Sequence, residues 1–414
     1  MGKLAQGAAF LRDYARLAIG LPGAAVPIHS APKRVLFLGY AAVGDLIFLL
    51  PALKALRLAL PEARVTFVGD HDPGATELLP ATHLADEIWT YTHPALATES
   101  VRAEIATRVW DQNFDAVIVG QATPLRPFAR AILPIPLRIA HCRPIEAPAQ
   151  GWSAPRYALW KLRRGVISSE FERRWVINRP VWVAEESEHA VTRNLRLTAA
   201  LGAAIAQPAA SRPEIPLPDA ALAWARTHLP DVGGKTVGIH LGSPQSQYNK
   251  IWAPRNWGDV ASELARDFNV RIVVLGGPAE AREVSAFRSA YPGEFVDLVG
   301  KGGLLESFAA ISKCDLFLSS DTGLSKAAQA MQVPTISVWG PISRRDTGAI
   351  WDPHLHTEVS LDLSCSPCVS MALRKEGPGV LNYDNCGHHN CLNQLTSNMV
   401  YGQIVRHHGA RLRG

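Results

Sequence analysis

Twice along this chain of 414 residues, short apolar runs alternate with helix-periodic segments, and a proline-rich stretch divides the two series. Strands that alternate with helices cannot join by tight hairpins. They pair in parallel, with helices covering both faces of the sheet. In the first series the runs fall at 35–38, 64–68, 87–90 and 116–119. A helix follows the first run, with Leu46, Leu49, Leu50, Leu53, Leu56 and Leu60 along one side. The stretch 122–148 holds several prolines and arginines and reads as loop and short helix, and 185–201 reads as an amphipathic helix. Pro208, Pro213, Pro216 and Pro218 mark a linker at 207–218. The second series has runs at 237–240, 271–275, 295–298, 316–319 and 335–338, with helices expected near 256–267, 279–289, 304–312 and 324–331. The expected organisation is an extension over 1–33, a Rossmann-like domain over 34–206 and the linker. A second Rossmann-like domain over 219–392 and a tail over 393–414 follow. In open α/β sheets ligands bind at the carboxyl ends of the strands, so a cleft between two such domains is the expected site.

Hydrophobic residues make up 47% and charged residues 19%, the balance of a packed globular chain. A net charge of +5 suits anionic ligands, but no dense block of Lys and Arg interleaved with aromatics points to nucleic acid. No run of 18 apolar residues predicts a membrane span. Near the N-terminus Phe10, Tyr14, Leu17 and Leu21 share a helical stripe, suited to packing on the protein's own body or a partner, or to docking on a membrane surface. Asp13 and the breaks at Pro22 and Pro27 argue against a signal peptide.

Four strand ends carry residue types suited to chemistry. Asp45 sits where the first helix begins and reads either as an N-cap carboxylate or as a general base. His240-Leu241-Gly242-Ser243 follows the first strand of the second series, and a Gly-Ser turn there can present N–H and hydroxyl groups to phosphate. Lys250 follows, as a solvated loop lysine or as a mobile charge for the same phosphate. At Gly276-Gly277-Pro278-Ala279-Glu280 the glycines allow close approach, and Glu280 either favours the helix start or accepts from ribose hydroxyls. The strongest local signal is Ser319-Ser320-Asp321-Thr322-Gly323-Leu324-Ser325-Lys326, which ends an apolar strand and opens a helix. Its N–H groups and dipole would face a bound pyrophosphate, with Thr322, Ser325 and Lys326 adding hydroxyls and charge. The alternative is a well-capped helix with Asp321 as its N-cap.

These segments in order, Val43-Gly44-Asp45 with Leu50-Pro51-Ala52-Leu53, Gly242-Ser243 to Trp252, 275–280 and 321–325, together with Val338-Trp339-Gly340-Pro341, resemble glycosyltransferase family 9, the lipopolysaccharide heptosyltransferases. The resemblance implies a GT-B fold, an acceptor-binding N-terminal domain and a nucleotide-sugar-binding C-terminal domain. It implies inverting, metal-independent transfer of a heptose from an ADP-linked donor to a glycolipid or protein acceptor, in the cytoplasm or peripherally at the inner membrane. On it, Asp45 is the base, Ser243 and Lys250 hold the donor diphosphate and Glu280 holds the ribose. Asp321, Thr322 and Gly323 place phosphates and sugar, and Arg138 lies near the acceptor. The family often has His where Lys326 stands here, which keeps a cation but leaves donor preference open. The rivals are a member using another nucleotide sugar, a nucleotide-sugar epimerase or hydrolase of the same fold, and a non-catalytic scaffold.

Six cysteines are present. Cys142 and Cys314 stand alone and suit inert packing. Cys365-x2-Cys368 and Cys386-x4-Cys391 are spaced for a tetrahedral thiolate site holding Zn or Fe that would pin the loop 361–392. Free thiols or disulfides are the alternatives, and His388 or His389 could replace a ligand. Similar cysteine groups occur in family members that carry iron and assemble as large oligomers, so a structural metal and a homo-oligomer are both expectations the resemblance carries.

Overall fold

A computed structural model describes residues 30–39, 42–96, 98–120, 125, 127–142, 176–183, 188–242, 250–361, 363–368 and 386–413. They fall into two compact units. One comprises the chain to Ala41, Leu49–Ala184 and Val191–Ile205, and the other Ala42–Phe48, Glu185–Ala190 and Ala206–Gly414.

The first unit is built on six parallel strands: β1 (Arg34–Leu38), β2 (Arg64–Asp70), β3 (Glu87–Tyr91), β4 (Ala116–Val119), β5 (Leu137–Cys142) and β6 (Arg179–Trp182), in spatial order β3-β2-β1-β4-β5-β6. The second has β7 (Thr236–His240), β8 (Arg271–Leu275), β9 (Val296–Asp297), β10 (Leu316–Ser320), β11 (Thr335–Val338) and β12 (His356–Val359), in order β12-β11-β10-β7-β8-β9 and again all parallel. Both orders are the doubly wound arrangement in which the strand sequence reverses direction beside the first strand. The central strands are buried along nearly their whole length, which is why they read as continuous apolar runs rather than alternating ones.

The longer helices are α1 (Val43–Ala59), α2 (Glu99–Gln112), α3 (Ala190–Ala199), α4 (Asp219–His228), α5 (Pro254–Phe268), α6 (Ala281–Ala290), α7 (Leu304–Ile311), α8 (Gly323–Ala330) and α9 (Ser397–Leu412). The second unit's core joins β7, β8, β10 and β11 to α5 and α9, with Trp252 and Trp257 fully buried edge to face, ring centroids 4.7 Å apart. Among the described residues no helix is long and apolar enough to cross a membrane.

Three strands depart from the sequence reading. Residues 122–148 contain β5, whose apolar pattern is broken by two polar side chains, Arg138 and His141, both buried. At the sheet edges, β6 reads Arg-Pro-Val-Trp and β12 reads His-Thr-Glu-Val, neither of which carries a strand-like apolar run. The N-terminal stripe at Phe10 to Leu21 lies outside the described residues.

Two histidines of the second unit are buried and neutral. Burial pushes His356 down to about 4, with nearby positive charge adding to it against Asp352, and burial with Arg411 does the same for His408. In the unfolded chain both titrate near their ordinary value of about 6.5, so protons go to the unfolded state first between pH 6.5 and 4. Their stabilisation is present above about pH 6.5 and lost as pH falls toward 4. Thermal unfolding at pH 7 and pH 4.5 is expected to show a lower midpoint in acid. Replacing both, as His356→Asn with His408→Gln, should flatten that dependence by on the order of 2 kcal/mol or more.

Candidate active site

The reversal of strand order in the second sheet falls between β7 and β10, where the chains leaving the two strands diverge. That is where an open α/β sheet offers a crevice. Four segments supply it.

The first leaves β7. His240 is buried, its Nδ1 3.2 Å from Thr322 Oγ1 and its Nε2 3.9 Å from Glu280 Oε1. Gly242 follows, and a Cβ there would collide with Glu280 Cγ, so only glycine allows this approach. Ser243 lies outside the described residues. The second segment is the turn after β8. Glu280 folds back over Gly276 and Gly277, where added Cβ atoms would lie 3.1 and 3.2 Å from its Oε2. Burial works to raise the Glu280 carboxyl, but His240 and the N–H groups of Gly277 and Glu280 outweigh it and hold it below the usual carboxylate range. Glu280 Oε2 is buried and accepts no hydrogen bond among the described residues.

The third segment ends at Trp252. Its indole donates to Leu395 O at 2.9 Å and its backbone N–H to Ser320 Oγ at 3.3 Å. This anchor sets Lys250, two residues earlier, 3.6 Å from Asp321 Oδ2. The fourth segment is the start of α8. Thr322, not Asp321, is the N-cap: Thr322 N–H donates to Ser325 Oγ at 3.3 Å, and Ser325 Oγ donates back to Thr322 O at 2.8 Å. Asp321, one residue outside the helix, is thereby released to pair with lysines. Its Oδ1 lies 2.9 Å from Lys326 Nζ. Burial would raise the Asp321 carboxyl, yet Lys326 and Lys250 together hold it below its ordinary value. Lys326 is 3% exposed, with Nζ 4.3 Å from the Trp339 ring centroid and 5.8 Å from that of Phe48. The aromatic faces offset part of the cost of burying that ammonium. The Nζ contact with Asp321 is an ion pair poorly aligned for a hydrogen bond, so donor capacity remains.

The first turn of α1 belongs to the same unit. A Cβ on Gly323 would lie 2.9 Å from Val43 Cβ, so the two helix starts meet across a glycine. Asp45 is the third residue of α1 and exposed, not the N-cap that its place in the sequence suggested.

The structure therefore gathers Lys250, Glu280, Asp321, Thr322, Gly323 and Lys326, and adds His240 and Trp339, which the sequence reading did not single out. His240 ends β7 and Trp339 stands in the Val338-Trp339-Gly340-Pro341 segment, but the sequence assigns neither of them a role. Arg138 is elsewhere, buried in β5 of the first unit. It donates to the carbonyls of Leu133 (2.9 Å), Ile135 (2.6 Å) and Val176 (2.5 Å), so its guanidinium is committed to the backbone. Cys365, Cys368, Cys386 and Cys391 carry no disulfide. Burial raises the Cys368 and Cys391 thiols, and charge on the other cysteines adds to it. Among the described residues, no three side chains stand in metal-holding geometry.

A family model described as glycosyltransferase family 9 (heptosyltransferase) matches residues 161–377. Lipopolysaccharide heptosyltransferase 1 of Escherichia coli is 27% identical over 318 residues, which cover 74% of this chain and 88% of that relative. The glycosyl transferase family 9 structure from Veillonella parvula superposes with a TM-score of 0.68 at 17% identity, covering 94% of this chain and 99% of its own. The Escherichia coli ADP-heptose lps heptosyltransferase II does so with a TM-score of 0.63 at 15% identity, covering 92% and 98%. With two doubly wound parallel sheets, these likenesses make the fold GT-B.

Replacing Asp321 with Asn keeps the shape and removes the counter-charge of a buried lysine. Asp321→Asn is expected to destabilise the protein by about 3 kcal/mol, read as a lower urea midpoint with unchanged slope.

Proposed function

Since this chain belongs to glycosyltransferase family 9 and is a glycosyltransferase, we propose that it transfers a heptose from an ADP-linked donor, with inversion and without a catalytic metal, to a lipopolysaccharide-type or protein-bound acceptor. The observation that carries this reading is the pair of lysines, Lys250 and Lys326, on one buried aspartate beside the N-cap of α8. Two cations against one anion leave net positive charge where helix N–H groups also point, the field a diphosphate requires. Glu280 Oε2, buried and without a donor among the described residues, suits the ribose hydroxyls of the same nucleotide.

In this mechanism Asp45 takes the proton of the acceptor hydroxyl as its oxygen attacks the anomeric carbon. The bond from that carbon to the phosphate oxygen breaks on the opposite face, and the nucleoside diphosphate leaves with the bonding pair. Lys250 and Lys326 stabilise the charge gathering on the leaving phosphate, and because they are already in place they need little reorganisation. Heptose as the sugar and a lipopolysaccharide acceptor draw support from the Escherichia coli relative.

Turnover of ADP-heptose with a heptose-deficient lipopolysaccharide acceptor is expected, and expected to persist in EDTA. Asp45→Asn should lower kcat by about 100-fold or more while ADP-heptose still raises the melting temperature. Turnover with a UDP- or GDP-sugar in its place would retain the mechanism and discard heptose. No stabilisation by any nucleotide sugar would overturn the enzyme's assigned donor site.

The four cysteines extend the proposal. Cys365, Cys368, Cys386 and Cys391 would hold a structural zinc or iron ion, their thiols drawing together around it as thiolates and tying 361–368 to 386–392. Support comes from their spacing in the sequence. Elemental analysis of protein purified without chelator should find about one such ion per chain, and Cys368→Ala should lose it with a lower melting temperature.

A further inference from the structure

The proposed base sits on the first turn of α1, and the second unit holds that turn through a short chain of contacts that the transfer reaction does not itself use. Phe48, one turn after Asp45 on the same helix, is 2% exposed. The ring of His189 packs edge-on against it, centroids 5.1 Å apart at 82°, and Trp351 packs on it at 5.9 Å. His189 Nε2 lies 3.0 Å from Gly348 O. A carbonyl only accepts, so Nε2 carries the proton and the ring's orientation is fixed by that bond. The peptide that follows is held from its other side, with Ala349 N–H donating to Glu358 Oε1 at 2.6 Å. A Cβ at Gly348 would collide with Arg344 O and lie 2.9 and 3.1 Å from the two Glu358 carboxylate oxygens, so only glycine lets the peptide come this close. Trp351, two residues further on, is itself tied by its indole N–H to Pro208 O at 3.2 Å.

We propose that His189 is a positioning residue for Asp45: clamped by the Gly348–Ala349 peptide that Glu358 pins, it presses on Phe48 and sets the place of the first turn of α1. The inference rests on the reading of Asp45 as the base. It assigns no chemistry to His189, and its contribution is geometric. A general base displaced by a fraction of an ångström loses rate steeply, whereas Lys250, Glu280 and Asp321, which would hold the donor, stand on segments other than α1.

Two measurements separate this from a general structural role. Amide hydrogen exchange on the full chain, which needs no ligand, is expected to quicken about tenfold or more at 45–48 in His189→Ala and Glu358→Ala, with α5 and α9 unchanged. With ADP-heptose and the heptose-deficient acceptor, kcat should fall about tenfold or more in both variants while the KM for ADP-heptose stays within about twofold. Glu358→Gln keeps an oxygen that accepts from Ala349 N–H and should restore both exchange and kcat. Unchanged exchange at 45–48 in His189→Ala would overturn the inference, as would kcat, donor KM and melting temperature worsening together. Asp45→Asn is the control that keeps the two ideas apart. Full activity there would remove the base and this inference with it. An inactive Asp45→Asn beside a fully active His189→Ala would remove the inference alone.

Discussion

The ion pairs of Asp321 are the interaction on which the rest of the second unit's site depends. A carboxylate taken out of water at the end of a central strand would by itself bind a proton rather than stay charged. Lys250 and Lys326 reverse that outcome. The dependence is mutual, because Lys326 is nearly inaccessible and the Asp321 carboxylate lies 2.9 Å from its Nζ. Trp339 below it and Phe48 beside it supply ring faces in place of water. Take away the aspartate and an ammonium remains in an aromatic pocket, which costs more than the pair itself contributes. The trio is therefore better understood as a charged device maintained at some expense than as a source of stability.

Topology puts that device where it is. Both sheets have the same strand order, and in each the order reverses beside the first strand. In the second sheet the reversal between β7 and β10 carries His240, Gly242 and the start of α8, with Glu280 reaching it from the turn after β8. The side chains leaving the strands, not the fold, decide which becomes a site.

Much of this was legible in the sequence, for a physical reason. Central strands of a parallel sheet are buried on both faces, so β1, β4, β7 and β10 each contain an unbroken non-polar run and announce themselves. Contiguous site segments were legible too, since 319–326 carries its strand end, cap, carboxylate and lysine in eight consecutive residues. What stayed hidden depends on contacts between distant segments. β5 was obscured by Arg138, whose buried guanidinium is satisfied by carbonyls at 133, 135 and 176, a partnership no local pattern shows. β12 was obscured by being polar at an edge. The capping roles of Asp45 and Asp321 each shifted by a residue or more, because Thr322 and Ser325 cap α8 reciprocally and leave Asp321 to the lysines. Glu358 acts on the site only through folding, and Trp339, although it lies in the Val338-Trp339-Gly340-Pro341 segment, shows its place over Lys326 only in the folded chain.

The contrast in exposure between Asp45 and the lysine trio follows from what each would have to meet. A diphosphate is small and highly charged, and the groups that stabilise it gain most where water is excluded and the field is strong. On the proposed reading the acceptor hydroxyl belongs to a large glycolipid or protein that arrives from solvent, and a base for it would lie outside that pocket. Asp45 is accordingly exposed on the first turn of α1, whereas Asp321 and Lys326 are buried. Phe48 is buried one turn along, where it packs against His189 and Trp351. The helix thus carries a core-packed side chain one turn from an exposed carboxylate.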